Sequence, residues 1–221
     1  MLDFLFDLNR GQFTQGMSKV DPFTANFFDD RQIELSKRVS KERYRHVLGV
    51  VEMAQILAET YQVDIQKARL AALLHDWDKD YTNQQMRERI YEVGADSLTT
   101  KEVIEKMPKV LHGLTAAFAL GIQYPQIPSD VLRAIIDHTT ANTHMNGLSM
   151  VVYCADALEP NRKYPEYEEL IDLIGKVPLH DLFVKIYMYS TINVLKSHKT
   201  MHPRTAEIWN YHIEKYNRRH S

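Results

Sequence analysis

The sequence predicts an all-α protein, and three observations support this fold class. Apolar residues recur at the spacing of a helix along most of the chain. Short alternating runs bounded by turn residues, which are typical of strands, are not apparent. The length of 221 residues and the 44% share of apolar residues are sufficient for one domain with a sizeable core.

The first clear helices form a pair. Ser40 is expected to cap the helix that carries His46, and Asp64 is expected to cap the helix that runs into AALLHDWDKD, residues 71–80. Because the link between these helices is short, we expect them to pack antiparallel. At the rise of a helix, His46 lies roughly 21 Å before the turn and His75 roughly 16 Å after it, so the two histidines can lie at similar heights.

The helices that follow are predicted from their caps and stops. Residues 1–34 are rich in Phe and Asp and only weakly periodic, so we treat them as an N-terminal extension to a domain at 35–221. Two or three closing helices are expected between Glu166 and Asn217. The intervening helices are expected from the Thr82 cap to Gly94, from the Thr100 cap to Pro108, through VLHGLTAAFALG (110–121), from a Ser129 cap through Thr140, and through LSMVVYCADALEP (148–160).

Charge and cysteine content restrict the class of partner and compartment. The net charge is −2 with nearly balanced acids and bases, so no overall field favours nucleic acid or an anionic membrane. No apolar run approaches the roughly 18 residues that span a bilayer. The lone Cys154 excludes an intramolecular disulfide and is compatible with a reducing cytosol. We therefore expect a cytoplasmic protein without a nucleic-acid or membrane partner.

The pair His75-Asp76 is the first candidate site. Taken alone, it is more simply a hydrogen-bonded core histidine beside a helix-end acid paired with Lys79. Neutral imidazole and carboxylate are also ligands that suit divalent iron, manganese or zinc. Other predicted helices likewise place a histidine or an aspartate in an apolar setting, and one shared metal would offset the desolvation of them all. These further residues are His46, His112, His138 and Asp156.

The pattern H…HD…D, formed by His46, His75-Asp76 and Asp156, resembles the metal motif of the HD-domain phosphohydrolases. The segments RYRHVLGV, LLHDWDK, LHG, DHTT and YCADALEPNRKYP are similar to the YqeK-type branch, whose members resemble symmetrical diadenosine tetraphosphate hydrolases. The resemblance extends from about residue 41 to residue 167. It implies an HD-type helical bundle at 35–221 with additional C-terminal helices.

The resemblance also implies a site with two divalent metals, iron first, with manganese and zinc as alternatives. Asp76 would bridge the metals and fix their spacing rather than act as a free base. Lys79 would assist catalysis and contact phosphate, and Arg162 would also contact phosphate. The implied ligands are His46, His75, Asp76 and Asp156 for one metal, and Asp76, His112 and His138 for the other.

Two segments depart from the family pattern. The chain has Ala141-Asn142 and Ser149-Met150 where the family usually has Gly-Arg and Glu-Lys, so two basic groups expected near the polyphosphate are missing. His144 and Arg133 are the candidates to replace them, and we expect His144 to contact substrate. The departures leave every implied metal ligand in place and bear on the substrate.

The activity implied by the resemblance is symmetrical cleavage of diadenosine tetraphosphate to two ADP molecules. Alternatives are another nucleotide substrate, such as a guanosine polyphosphate or a deoxynucleotide, or a metal- and nucleotide-binding regulatory protein with little turnover. A homodimer is suggested only by analogy. Trp77 and Tyr164 could stack on a base or simply pack in the core. The histidines of the C-terminal third are expected at the surface or as caps.

Overall fold

A computed structural model describes residues 21–162 and 164–221, and the regular secondary structure in these ranges is entirely helical. The predicted all-α fold is therefore confirmed. Two short 3-10 helices, Asp96–Leu98 and Pro108–Leu111, lie on either side of the fifth α-helix. The α-helices are α1 (Ala25–Arg38), α2 (Lys41–Tyr61), α3 (Ile65–Leu74), α4 (Asn83–Glu92), α5 (Lys101–Lys106), α6 (His112–Gln123), α7 (Ser129–Thr140), α8 (Gly147–Leu158), α9 (Tyr167–Ile171), α10 (Leu179–Lys196) and α11 (Thr205–His220).

Helix α1 crosses the predicted boundary after residue 34. Its N-terminus is capped by Thr24, whose side chain accepts a hydrogen bond from the Phe27 amide. Only Phe27 and Leu35 of this helix are buried, which explains why the sequence showed little periodicity here. Residues 1–20 lie outside the described residues, and the division into extension and domain stays a prediction.

Helices α2 and α3 form the predicted antiparallel pair. The side chain of Ser40 accepts a hydrogen bond from the Arg43 amide, and the side chain of Asp64 accepts one from the Lys67 amide. The rings of His46 and His75 lie 5.6 Å apart between centroids, so the two histidines are at similar heights. Helix α2 also packs on α8, and α8 packs on α7 and α10.

Most of the remaining caps lie where they were predicted, with one exception. Thr82 caps α4 in a capping box with Gln85, and Thr100 caps α5. The predicted Ser129 cap of α7 is wrong. Pro128 occupies the cap position, and its extended backbone, at φ −61° and ψ 148°, leads into the helix one residue earlier than expected. Ser129 is therefore the first helical residue.

The interior is a single apolar cluster to which all the long helices contribute. Trp77 belongs to it, with 2% of its surface exposed, so this ring is not available to stack on a base. Helices α10 and α11 pack on each other and, through α10, on α8. Within the ranges that the structure describes, no helix combines the length and apolar character needed to cross a membrane.

Candidate metal centre

Six side chains from five parts of the fold meet in the interior. They come from α2, from the turn after α3, from the start of α6, from the end of α7 and from α8. Among the described residues, three groups bring ligand atoms within 4.8 Å of one another. These groups are His46, His75 and Asp76; His75, His138 and Asp156; and Asp76, His112 and His138.

The carboxylate of Asp76 lies at the centre and is 1% exposed. Its Oδ1 is 3.0 Å from Nε2 of His112 and 3.6 Å from Nε2 of His138. Its Oδ2 is 3.3 Å from Nε2 of His75 and 3.7 Å from Nε2 of His46. The two oxygens thus face two different pairs of imidazoles, an arrangement in which one carboxylate can bridge two ions.

The backbone orients three of the imidazoles in the same way. Nδ1 of His75 lies 2.6 Å from the carbonyl oxygen of Ala72, and Nδ1 of His112 and of His138 have the same contact, at 2.7 Å and 2.6 Å, with the carbonyl three residues earlier. A carbonyl only accepts, so Nδ1 must carry the proton and donate it. The lone pair of each Nε2 therefore points to the centre, as a metal ligand requires.

His46 is oriented by a side chain instead. Its Nδ1 lies 3.1 Å from Oε1 of Glu159, which is 3% exposed, and its Nε2 lies 3.0 Å from Oδ1 of Asp156. Oε2 of Glu159 accepts hydrogen bonds from the amide and the side chain of Asn161, at 2.8 Å and 2.9 Å. Helix α2 has Gly49 beside this carboxylate, where a Cβ would lie 2.5 Å from Oε2. Glu159 was missed by the sequence reasoning.

Several polar atoms at the centre have no hydrogen bond. Nε2 of His46, Nε2 of His75 and Oδ1 of Asp76 are buried without such a partner, although each approaches other ligand atoms closely. Leaving buried polar atoms unpaired costs about 1–3 kcal/mol for each one. Divalent cations on the two sides of Asp76 would satisfy all three. The residues present therefore fit a divalent metal, and imidazole with carboxylate suits iron, manganese and zinc.

The charges at the site also fit metal binding. Burial alone would raise the pKa of Asp76, but the surrounding imidazoles hold it well below its ordinary value. Burial, reinforced by the cation of Lys79, lowers the pKa of His112 to about 4, and burial also lowers the pKa of His138. At neutral pH the carboxylate is therefore ionised and these two imidazoles are neutral, which are the forms that bind metals.

Three cationic side chains surround the acidic centre. Nη1 of Arg43 lies 2.8 Å from Oδ2 of Asp76, and Nζ of Lys79 lies 3.6 Å from Oδ1 of Asp76 and 3.2 Å from Nε2 of His112. Nη2 of Arg162 lies 2.7 Å from Oδ1 of Asp156. Lys79 and Arg162 were predicted from the sequence, whereas Arg43 was not. All three side chains are partly exposed and can reach an anion at the centre.

The two candidates for the missing basic groups make other contacts. Nε of Arg133 lies 3.1 Å from each carboxylate oxygen of Asp137. The ring of His144 lies 5.6 Å from that of Tyr211, and its Nδ1 lies 2.9 Å from the hydroxyl of Thr143. The contact of His144 with substrate stays a prediction.

Two C-terminal histidines correct an expectation. The expectation for both was a surface or capping role. His180 and His212 are buried, so the surface position is wrong. Helices α10 and α11 face each other here, and Nε2 of His180 lies 3.1 Å from Nδ1 of His212. Nε2 of His212 lies 2.8 Å from the carbonyl oxygen of Asn142, to which it can only donate. The pair therefore attaches the loop after α7 to helices α10 and α11.

The other two acids of HDWDKD have structural partners. Asp78 is buried, and its carboxylate contacts Arg38 of α1 at 3.1 Å and Arg89 of α4 at 3.3 Å. Oδ2 of Asp80 accepts a hydrogen bond from the amide of Ser40 at 2.6 Å. The segment after α3 is thus held on both sides, which fixes the position of Asp76 between these anchors.

The chain is similar to known proteins over most of its length. A family model for the HD domain matches residues 43–173. The symmetrical bis(5'-nucleosyl)-tetraphosphatase of Halalkalibacterium halodurans is 31% identical over 172 residues, which are 78% of this chain and 89% of the relative. The protein of the same name from Staphylococcus aureus is 31% identical over 188 residues, covering 81% of this chain and 94% of the relative.

A solved structure shares the fold. It is described as that of a predicted HD superfamily hydrolase involved in NAD metabolism from Clostridium acetobutylicum. Its TM-score is 0.77 at 30% sequence identity, over 85% of this chain and 97% of that one. With more than half of the chain matched by the family model, and with these relatives matched over most of their length, the chain belongs to the HD-domain family of hydrolases, in the branch of the symmetrical bis(5'-nucleosyl)-tetraphosphatases.

Proposed function

We propose that this chain hydrolyses diadenosine tetraphosphate symmetrically to two ADP molecules in a site with two divalent metals. The observation that carries the proposal is the placement of Asp76, whose two oxygens face two separate imidazole pairs. The names of the two relatives described above support the choice of substrate.

In this proposal His46, His75 and Asp156 would hold one metal, His112 and His138 would hold the other, and Asp76 would be shared by both. The metals would act as Lewis acids on the phosphate oxygens and activate the attacking water. Iron is our first candidate, with manganese and zinc as alternatives. Cys154 is fully buried, and burial raises the pKa of its thiol, so it does not supply a thiolate that would select a softer metal.

The chain's own cations act on the polyphosphate. The water oxygen forms a bond to one of the two central phosphorus atoms and releases a proton to solvent. The bond from that phosphorus to the oxygen shared by the two central phosphorus atoms breaks, so that each product is ADP. Lys79 donates a hydrogen bond from Nζ to the phosphate that leaves, and Arg162 binds an outer phosphate. Arg43, beside Asp76, adds a third cation that can bind a phosphate oxygen.

The test combines metal analysis with product identification. Protein purified without added metal is analysed for its elements and then given diadenosine tetraphosphate, a guanosine polyphosphate and a deoxynucleotide. We expect ADP as the product from the first substrate, and a loss of turnover in Asp76→Asn, whose side chain has the same shape. Metal-loaded protein that releases no ADP, or equal background in wild type and Asp76→Asn, would overturn the proposal.

Other expectations stay predictions and have simple tests. The homodimer is checked by light scattering, and the cytoplasmic location by fractionation. A role for residues 1–34 is checked by deleting them and comparing kinetics and mass. The absence of a nucleic-acid partner is checked by a filter-binding assay, and the His144 contact by the Michaelis constant of His144→Ala.

A further inference from the structure

A cleft of about 450 Å³ opens between the end of α8, the loop that follows it, and α10. Sites for small ligands usually have volumes of roughly 300–1,000 Å³, so this cleft is large enough for a nucleoside. Its lining includes Arg162, Tyr164, Tyr189, Ser190, Asn193 and Lys196.

One side chain links the cleft to the metal centre. Arg162 lines the cleft, and its Nη2 lies 2.7 Å from Oδ1 of the candidate ligand Asp156. A phosphate held by Arg162 would therefore have the metal centre on one side and the cleft on the other. In a dinucleoside tetraphosphate cut at its centre, the nucleoside begins one phosphate beyond the reacting one. Because Arg162 also lines the cleft, the cleft is the candidate place for that nucleoside.

The lining has the chemistry of a nucleoside site. The half-buried ring of Tyr164 is held by its hydroxyl, which donates to the carbonyl of Ala157 at 3.2 Å. The hydroxyl of Tyr189 likewise donates to Glu169 at 3.2 Å. Rings with occupied hydroxyls offer mainly their apolar faces, on which a base can stack. Ser190 and Asn193 add hydrogen-bonding groups that can read the edge of a base or the sugar hydroxyls.

We propose that this cleft binds one nucleoside of the substrate, with its base against Tyr164 and Tyr189 and its outer phosphate on Arg162. This proposal rests on the proposed function, since it assigns a subsite of the same site. Its basis is Arg162, which lines the cleft and contacts Asp156, together with the aromatic and amide groups of the lining.

The test measures binding rather than turnover. Calorimetry on the metal-loaded protein compares ADP, which has a nucleoside, with inorganic pyrophosphate, which has none. Tyr164→Ala should weaken ADP binding about tenfold or more, the effect of one lost base–aromatic stack, and leave pyrophosphate binding unchanged. Asn193→Ala, on the exposed side of α10 where folding is not at risk, should weaken ADP binding about threefold.

A tyrosine elsewhere in the fold provides the matched control. Tyr124 is also half-buried and also donates its hydroxyl, to Oε2 of Glu34 at 2.6 Å, but it does not line the cleft. Tyr124→Ala should bind ADP as wild type does. Equal ADP losses in Tyr164→Ala and Tyr124→Ala, or wild type that binds ADP no more tightly than pyrophosphate, would overturn the cleft assignment. Failure to cleave diadenosine tetraphosphate with these binding differences intact would overturn the proposed function alone.

Discussion

Replacing Glu159 by alanine should weaken metal binding without removing any ligand. The carboxylate of Glu159 is the acceptor for Nδ1–H of His46 at 3.1 Å. Without this acceptor, the His46 ring can rotate or exchange its proton to Nε2, and the lone pair facing the centre is lost. The change leaves the other three imidazoles unaffected, because the backbone orients them.

The size of the effect follows from these contacts. Removing a group that orients a metal-bound histidine typically costs 10–100-fold in metal affinity, or about 1.4–2.7 kcal/mol. Glu159→Gln should also lose affinity, about tenfold. Both carboxylate oxygens accept from donors, His46 on one side and Asn161 on the other, so an amide must turn its NH₂ toward one of those donors.

Competition with a fluorescent chelator measures the metal dissociation constants, and circular dichroism checks that each variant is folded. Gly49→Ala is a second route to the same effect, because its Cβ would lie 2.5 Å from Oε2 of Glu159. Gly147→Ala is the control, since its nearest neighbour is a methyl group of Val63 at 3.2 Å. If folded Glu159→Ala bound metal as tightly as wild type, the reasoning that His46 needs this carboxylate would be refuted.

Three further predictions concern other parts of the chain. Lys79→Ala should lower turnover about 100-fold with unchanged metal content, whereas Lys106→Ala, at an exposed site, should change neither. Equal turnover in both variants would exclude a role of Lys79 in the reaction. Ala141→Gly should raise the free energy of unfolding by about 1 kcal/mol in urea titrations, because the backbone of Ala141, at φ 60° and ψ −174°, has a conformation that is favourable almost only for glycine. A less stable variant would contradict this reasoning. Burial lowers the pKa values of His180 and His212 below the ordinary 6.5, so the unfolded chain binds more protons and the folded protein should become less stable as pH drops below about 6.5. The melting temperature of His212→Gln should therefore depend less on pH than that of wild type. An unchanged pH dependence in this variant would contradict the prediction.

The fold was largely predictable because its signals are local. The caps at Ser40, Asp64 and Thr82 depend on a side chain and an amide three residues away, which the sequence displays directly. Helix α1 was missed because its stability comes from the contacts of Phe27 and Leu35 with distant parts of the core. Those contacts are not visible in a local pattern of apolar residues.

At the site, the residues that interrupt apolar helices were predictable and their supporting partners were not. A histidine or aspartate in an apolar stripe is conspicuous, and all six such residues meet in the structure. Glu159 is 113 residues from His46, and Arg43 is 33 residues from Asp76. Each stands in a polar stretch of sequence, where an acid or a base is ordinary, so only the folded chain reveals its partner.

The different ways in which the four imidazoles are oriented have a genetic consequence. His75, His112 and His138 donate to main-chain carbonyls, and a carbonyl is present whatever amino acid a codon specifies. Point mutations at the acceptor positions therefore cannot remove these hydrogen bonds directly. His46 alone depends on a side chain, so a single mutation at Glu159, or at Gly49 behind it, would let a descendant of this protein keep every candidate ligand and still bind metal more weakly.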